Sequence, residues 1–256
     1  MHVLITAGGT SEPIDTVRKI TNTSSGRLAA TIYRQLLQHK ISTGLSMTLH
    51  YVVGSATVLP EFDGDTYVYH VTDTESVEKT MQDILRNQTI DIVLHLMAIS
   101  DYYVAAVKST HLIAQNLSEF IQECHESKVE LTTDLLSKFL ENPSCTDLSQ
   151  EGKLSSKDDL YIQLKQTPKI IEQIKKISPG TRLIGFKLMD HVSEQVLVDT
   201  ATQQCKVNRC EFVVGNDLKT VGPIEHHALL VRDGLVLDRC HTKDEIASSI
   251  IKELGI

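Results

Sequence analysis

The strongest constraint on the fold of this chain is the regular alternation of short apolar runs with longer stretches of helical period. Val3-Leu4-Ile5 is a short β-rich run that ends in glycines. From Gly26 to His39, Leu28, Ala29, Ile32, Leu36 and Leu37 recur at helical spacing. Leu49–Val53 and Thr66–Val71 read as strands, a helix runs through Val77, Met81, Ile84 and Leu85, and Ile92-Val93-Leu94 reads as a buried strand. A helix is expected from Pro168, placed as the first helical residue after Thr167. A strand over Arg182–Phe186, a helix from Ser193 to about Lys206 and a strand over Glu211–Val214 follow. Strands His227–Val231 and Leu235–Asp238, joined at Asp233-Gly234, precede a last helix from Thr242 to Leu254. This βαβ alternation predicts an α/β fold, a Rossmann-like open parallel sheet with helices on both faces.

The middle of the chain departs from the pattern. Helices are expected over Leu112–Glu126 and Asp134–Leu140, and the Ser-, Lys-, Gly- and Asp-rich stretch Asn142–Asp159 reads as a flexible lid. Val129–Leu131 and Leu160–Leu164 alternate apolar and polar, so they are expected to pair as a small antiparallel ribbon outside the main sheet. The 256 residues fit one large domain or two small ones, and the chain is read as one, with 108–165 inserted as lid and ribbon. A net charge of −8 argues against nucleic acid as the partner, while leaving room for local basic pockets. The absence of any apolar run near ~18 residues argues against a membrane span. Five scattered cysteines without C-x-x-C spacing suit a reduced, cytoplasmic protein.

In an open parallel sheet, ligands collect beyond the carboxyl ends of the strands. Four such ends carry suggestive residues. The first leads through Gly8-Gly9-Thr10, past Arg18, to Asn22, Ser24, Ser25 and Gly26 at a helix start. There, small residues let backbone N–H groups approach a phosphate or carboxylate, although a plain turn with a Ser cap is the alternative. About twenty residues in one connection favour a functional loop. The second end is Met97-Ala98-Ile99-Ser100-Asp101, whose carboxylate suits a ribose, a base, a magnesium ion or simply a turn. At the third, Phe186 stacks on a base or belongs to the core; at the fourth, Asn216-Asp217 is a turn-type pair. Lys153 and Lys157 sit in the lid, where a lysine either closes over a polyphosphate or is merely solvated. His226-His227, Cys124-His125 and Cys240-His241 lack zinc-site spacing, and neither a G-x-S-x-G nor a Cys/His nucleophile arrangement is present.

The run from Gly8 through Gly26 closely resembles the opening signature of phosphopantothenate–cysteine ligase. The resemblance continues in order through Met97–Tyr102, Lys153–Ser156, Thr167–Ile171, Leu183–Lys187 and Gly215–Leu218, most like the stand-alone bacterial type. It implies attack of the phosphopantothenate carboxylate on the α-phosphate of CTP, with release of pyrophosphate. The amine of L-cysteine then attacks the acyl-cytidylate, giving the amide and CMP in coenzyme A biosynthesis. By the resemblance Asp101 holds the nucleotide and Lys153 its phosphates, with Mg2+ sharing the charge. Phe186 and Pro168, Lys169, Ile170 and Ile171 line the nucleotide pocket, and the backbone of Leu96, Met97 and Ala98 approaches the cytosine. Asn22 and Arg18 belong to phosphopantothenate binding and conversion of the intermediate. The ribbon implies a homodimer.

Three departures from the family pattern stand out. Ala29 replaces a usual glycine, Lys206 and Arg209 lie out of register with two nucleotide-contacting basic residues, and Lys108–Gly152 is longer than in streptococcal relatives. CTP rather than ATP rests on the bacterial-type motifs. The length leaves no room for the flavin-dependent decarboxylase often fused to this ligase, so FMN chemistry is not expected. The alternatives are a noncatalytic nucleotide- or flavin-binding module and a Rossmann-like oxidoreductase, the latter disfavoured by the missing dinucleotide fingerprint.

Overall fold

Short runs of Val, Ile and Leu, with helical stretches between them, become strands and helices at nearly every expected place. In the computed structural model, residues 1–143, 148 and 159–256 are described. Along the chain, β1 (His2–Ala7) leads into a ribbon of β2 (Ser11–Pro13) and β3 (Lys19–Thr21), then α1 (Arg27–Thr43), β4 (Thr48–Val53) and β5 (Thr66–His70). Next come α2 (Thr74–Asn87), β6 (Ile92–His95), β7 (Tyr102–Ser109), α3 (Thr110–Glu126), α4 (Thr133–Glu141) and β8 (Leu160–Gln166). The remainder is α5 (Ile170–Ile177), β9 (Arg182–Met189), α6 (Glu194–Asn208), β10 (Phe212–Val221), β11 (Glu225–Arg232), β12 (Leu235–Thr242) and α7 (Lys243–Leu254). The lid expected at 142–159, with Lys153 and Lys157, lies almost wholly outside the described residues.

Two compact units emerge. The first comprises Met1–Ser11, Thr21–Ser100 and Pro168–Ile256; the second comprises Glu12–Ile20 and Asp101–Thr167. The expected 108–165 insertion falls inside the second.

In the first unit, eight strands among the described residues form one sheet of order β12-β11-β10-β9-β6-β1-β4-β5. Pairings from β5 through β10 are parallel, and β11 and β12 add on antiparallel. One face buries Ile5 and Val53 with Ile32 and Leu36 of α1 and Ile246 and Ile250 of α7. The other buries Leu4 and Val93 with Met81 of α2, Ile174 of α5 and Ala201 of α6. Strands covered on both faces have no need for polar alternation, which is why they read as continuous apolar runs. From β1 the order runs outward to β4 and β5, then returns to β6, β9 and β10 on the opposite side. Direction therefore reverses between β1 and β6, and a crevice opens beyond their carboxyl ends at this switch.

Three expectations need correcting. In the second unit, Leu160–Leu164 pairs not with Val129–Leu131 but with β7, in a register from Tyr102↔Gln166 to Ser109↔Leu160. Aromatic and β-branched side chains suit Tyr102–Val107 to a strand. Val129 is instead consumed in ending α3: its N–H donates to the Cys124 carbonyl, and Lys128 takes a φ of 55°. Pro168 is not the first helical residue, because Lys169 is the N-cap of α5 and the proline stands one residue earlier. Asn216-Asp217 is not a turn. Held between β9 and β11, Asn216 pairs with Leu188 and Ala228, and Asp217 pairs with Met189.

Three buried imidazoles tie stability to pH. Burial is the main cause that pushes His50, His95 and His226 each down to about 4, with His2 adding to the effect at His50 and Lys243 and His227 at His226. In the unfolded chain the same rings titrate near ~6.5, so they bind protons first as pH falls. Their stabilising contribution is complete above ~6.5 and is lost as pH falls through 6.5 toward 4. Fully buried His95 accounts for on the order of 3 kcal/mol of this loss. Urea unfolding should show a clearly lower midpoint at about pH 4.5 than at about pH 7, and equal midpoints would exclude neutral burial of these rings.

Candidate active site

The crevice at the β1/β6 switch is built mainly from backbone. Beyond β1, Gly9 forms a parallel bridge with Ala98, so the two strand exits continue side by side. The Ala98 N–H donates to the Gly8 carbonyl at 2.9 Å, and the Ala98 carbonyl accepts from Thr10 N–H at 3.2 Å. Below them Thr6 joins the exits a second time. Its Oγ1 accepts from Met97 N–H at 3.0 Å and lies 3.2 Å from His95 Nδ1. The hydroxyl and the imidazole pair with each other, the donor being set by the ring tautomer. A neutral, buried His95 satisfies this arrangement. Thr10 repeats the device one layer up, where its Oγ1 accepts from Ser100 N–H at 2.9 Å.

The loop from Asn22 to Gly26 closes onto this backbone. Asn22 donates through its N–H to the Thr10 carbonyl at 3.0 Å and through Nδ2 to the Ile99 carbonyl at 3.1 Å. Gly9 must lack a side chain, because a Cβ there would fall on the Asn22 carbonyl oxygen. Gly8 has a φ of 83° and would clash with Thr57, whose hydroxyl donates to the Gly54 carbonyl at 2.8 Å. Ser24, Ser25 and Gly26 then lead into α1, whose N-cap Gly26 supplies no side-chain cap and whose first turn carries no acid. Amide groups and helix dipole at this end favour an anion. The family glycine replaced by Ala29 is a core position at 1 % exposure.

The first unit thus brings together Gly8, Gly9, Thr10, Asn22, Met97 and Ala98, with Ser24–Gly26 at the adjoining helix start. The N–H groups of Met97 and Ala98 are already committed to Thr6 and Gly8. Leu96 is half-buried against the core. Phe186, also half-buried, packs on the α1/α7 side of the core, and its carbonyl accepts from Gln204 Nε2 at 3.3 Å. Pro168 and Lys169 are exposed at the start of α5, while Ile170 is core and Ile171 packs against it. Asn216 is buried in β10. Asp217 ties the loop after β9, accepting from the N–H groups of His191, Val192 and Lys219, each at 3.0 Å. These bonds, Lys219 first, hold its carboxyl below the usual range. Arg209 ends α6 as a left-handed C-cap, and Lys206 lies in the preceding turn.

In the second unit, Arg18 lies in the β2–β3 connection, where Ile14 and Asp15 N–H groups donate to its carbonyl. Asp15 Oδ1 accepts from the N–H groups of Val17 and Arg18, and Oδ2 from Arg18 Nε and Nη2 at 2.9 and 2.6 Å. Asp101, exposed just before β7, accepts through its carbonyl from Thr167 N–H at 3.0 Å. Lys153 lies outside the described residues.

Sequence reasoning missed Thr6, Asp15, His95 and Thr57. An isolated Thr in a buried strand and a His in an apolar run were the available signals for Thr6 and His95. Among the described residues no group of three or more His, Cys, Asp or Glu is placed to hold a metal ion. His227 and His241 do meet, with ring centroids 4.9 Å apart. Cys124, Cys205, Cys210 and Cys240 are buried and free, and burial pushes Cys210 up to about 12. Thr6→Val should leave the buried Met97 N–H unpaired and lower stability by about 1–3 kcal/mol, read by urea unfolding. Gly9→Ala should cost at least as much, whereas Gly64→Ala, which meets nothing within 4 Å, should be near neutral.

Comparison with known proteins agrees with this architecture. The family model for the DNA/pantothenate metabolism flavoprotein C-terminal domain matches residues 1–141 and 145–255. The coenzyme A biosynthesis bifunctional protein CoaBC of Thermococcus kodakarensis is 28% identical over 257 aligned residues, covering 99% of this chain and 50% of that protein. Its counterpart in Methanocaldococcus jannaschii is 24% identical and matches 85% of this chain and 40% of its own length. The chain thus spans about half the length of the curated relatives it matches or less. The crystal structure of the DNA/pantothenate metabolism flavoprotein from Streptococcus pneumoniae superposes with a TM-score of 0.77 at 29% identity, covering 100% of this chain and 98% of that one. A Cab2 variant in complex with phosphopantothenate-cysteine shares the fold, with a TM-score of 0.64 at 15% identity over 99% of this chain and 87% of its own.

Proposed function

Because the chain belongs to the DNA/pantothenate metabolism flavoprotein C-terminal domain family, we propose that it joins phosphopantothenate to L-cysteine in coenzyme A biosynthesis, using CTP. The supporting observation is the backbone-lined crevice at the β1/β6 switch, where Asn22 is fixed to Thr10 and Ile99. Its relatives named for coenzyme A biosynthesis point to the same pathway.

In this reading the phosphopantothenate carboxylate attacks the α-phosphorus of CTP, the bond to the β-phosphate oxygen breaks, and pyrophosphate leaves. The cysteine amine then attacks the acyl carbon of the acyl-cytidylate. CMP departs with the bonding electrons, and the amine loses its proton. Neither step needs an enzyme nucleophile, so the raised pKa values of the buried thiols are no obstacle. What the protein supplies is position and charge. Asn22 and Arg18 hold and orient phosphopantothenate, Asp101 the nucleotide, and Lys153 the phosphates as charge develops. Leu96–Ala98, Pro168–Ile171 and Phe186 border the nucleotide. Magnesium accompanies the triphosphate; such an ion takes most of its ligands from phosphates and water. The enzyme works in the cytoplasm as a homodimer through the β7–β8 ribbon.

Pyrophosphate should be released only when phosphopantothenate and CTP are both present, and amide should form only after cysteine is added. No pyrophosphate under those conditions excludes the reading. Lys153→Ala should slow pyrophosphate release by at least ~100-fold without lowering the melting temperature, since it removes charge stabilisation of the transition state. Asn22→Asp cannot donate to the Ile99 carbonyl, so acyl-cytidylate should accumulate or form slowly in a quenched single-turnover assay. Wild-type kinetics would remove Asn22 from the site.

A further inference from the structure

Away from the β1/β6 crevice, three cations of the first unit meet in one groove. Arg27 opens α1, Arg34 lies two turns further along it, and Lys243 opens α7. With Glu61, Asp244 and Ile224 they line a cavity of about 940 Å³. In a chain with 25 basic and 33 acidic residues, a cation has many carboxylates to choose from. Among the described residues none of these three makes an ion pair. Arg34 Nη2 donates to Thr31 Oγ1 at 3.0 Å, and Lys243 Nζ to the Gly222 carbonyl at 2.6 Å. Three cations therefore face two carboxylates across the lining, an excess of one positive charge.

Other features raise the potential there. Burial, and then the nearby Arg27 charge, push the Lys243 ammonium below its ordinary value. The first turn of α1 brings no acid to offset its amide dipoles. His226, near enough to feel the Lys243 charge, is 5% exposed, and neither ring nitrogen has a hydrogen-bond partner. Like charges in excess of the carboxylates near them are destabilising until an anion joins them. Two guanidinium forks and an ammonium suit the several oxygens of a phosphate better than the two of a carboxylate.

We propose that this groove binds a phosphate-bearing anion through Arg27, Arg34 and Lys243. The phosphate belongs either to the phosphopantothenate of the reaction above or to a separate phosphorylated molecule. The site concerns binding by the free protein and stands whether or not the ligase reading holds.

Inorganic pyrophosphate titrated calorimetrically into the full chain, without nucleotide or cysteine, tests it. Binding should be saturable and weaken with salt. It should fall about tenfold in Arg34→Gln and further in the double variant with Lys243→Gln, as expected for lost charge-assisted hydrogen bonds. Lys79→Gln, an exposed change on α2, should leave it unchanged. Arg34 is exposed, so its single substitution remains informative if the double variant is unstable. Displacement by phosphopantothenate but not by pantothenate identifies the substrate's own phosphate; displacement by neither identifies a separate molecule. No pyrophosphate binding by the wild type overturns the proposal. So does wild-type affinity in Arg34→Gln and the double variant, including the case where Lys153→Ala alone abolishes binding.

Discussion

The contact on which the crevice depends is the side-by-side exit of β1 and β6, joined by the Gly9–Ala98 bridge. Two backbone segments that approach this closely leave little access for water to the polar groups between them. Every N–H and carbonyl there must find a protein partner or go unsatisfied at a cost. Thr6 and Thr10 provide two of these partners, each through a hydroxyl from one exit to an N–H of the other. Asn22 provides a third link by folding the long connection back over Thr10 and Ile99. The glycines answer the segments folded over this exit: the Gly9 side-chain position is already filled by the Asn22 carbonyl, and that of Gly8 by Thr57.

This arrangement also explains how the sheet's order makes a candidate place for ligands. The strands leave β1 in one direction and return on the other side through β6. Helices therefore cover opposite faces, α1 on one and α2 on the other, and neither closes the gap between the two exits. Residues fixed by backbone geometry line the gap. Its shape is thus set by the fold itself rather than by mobile side chains, which suits a reaction that relies on orientation.

The parts legible in the sequence were those with a local signal. Runs such as Ile92-Val93-Leu94 and the spacing Val77, Met81, Ile84 need only their own neighbours to declare strand and helix. The Gly8–Gly26 run carries a local signal as well, in the small residues clustered at its two ends. What was illegible depends on distant partners. Nothing local distinguishes Leu160–Leu164 as the mate of Tyr102–Val107 rather than of Val129–Leu131, since neither partner is its neighbour in the chain: α4 intervenes in one case, α3 and α4 in the other. Asn216-Asp217 has turn chemistry in isolation, yet neighbours on both sides impose a strand. Thr6 and His95 stand 89 residues apart, and only their meeting gives either a role. The same holds for Arg27, Arg34 and Lys243, which share a groove only because α1 and α7 cover the same face of the sheet.

The Asp15–Arg18 pair has a consequence for how selectively that arginine greets a ligand. Asp15 is itself pinned by two backbone N–H groups, and it grips the guanidinium through Nε and Nη2. Much of the rotamer freedom that a loose arginine surrenders on binding is therefore already gone in the free protein. The same grip offsets much of its charge. Under the proposed function, a substrate anion arriving here meets a direction more than an attraction, and Arg18 discriminates by shape and alignment among ligands whose charges are equal.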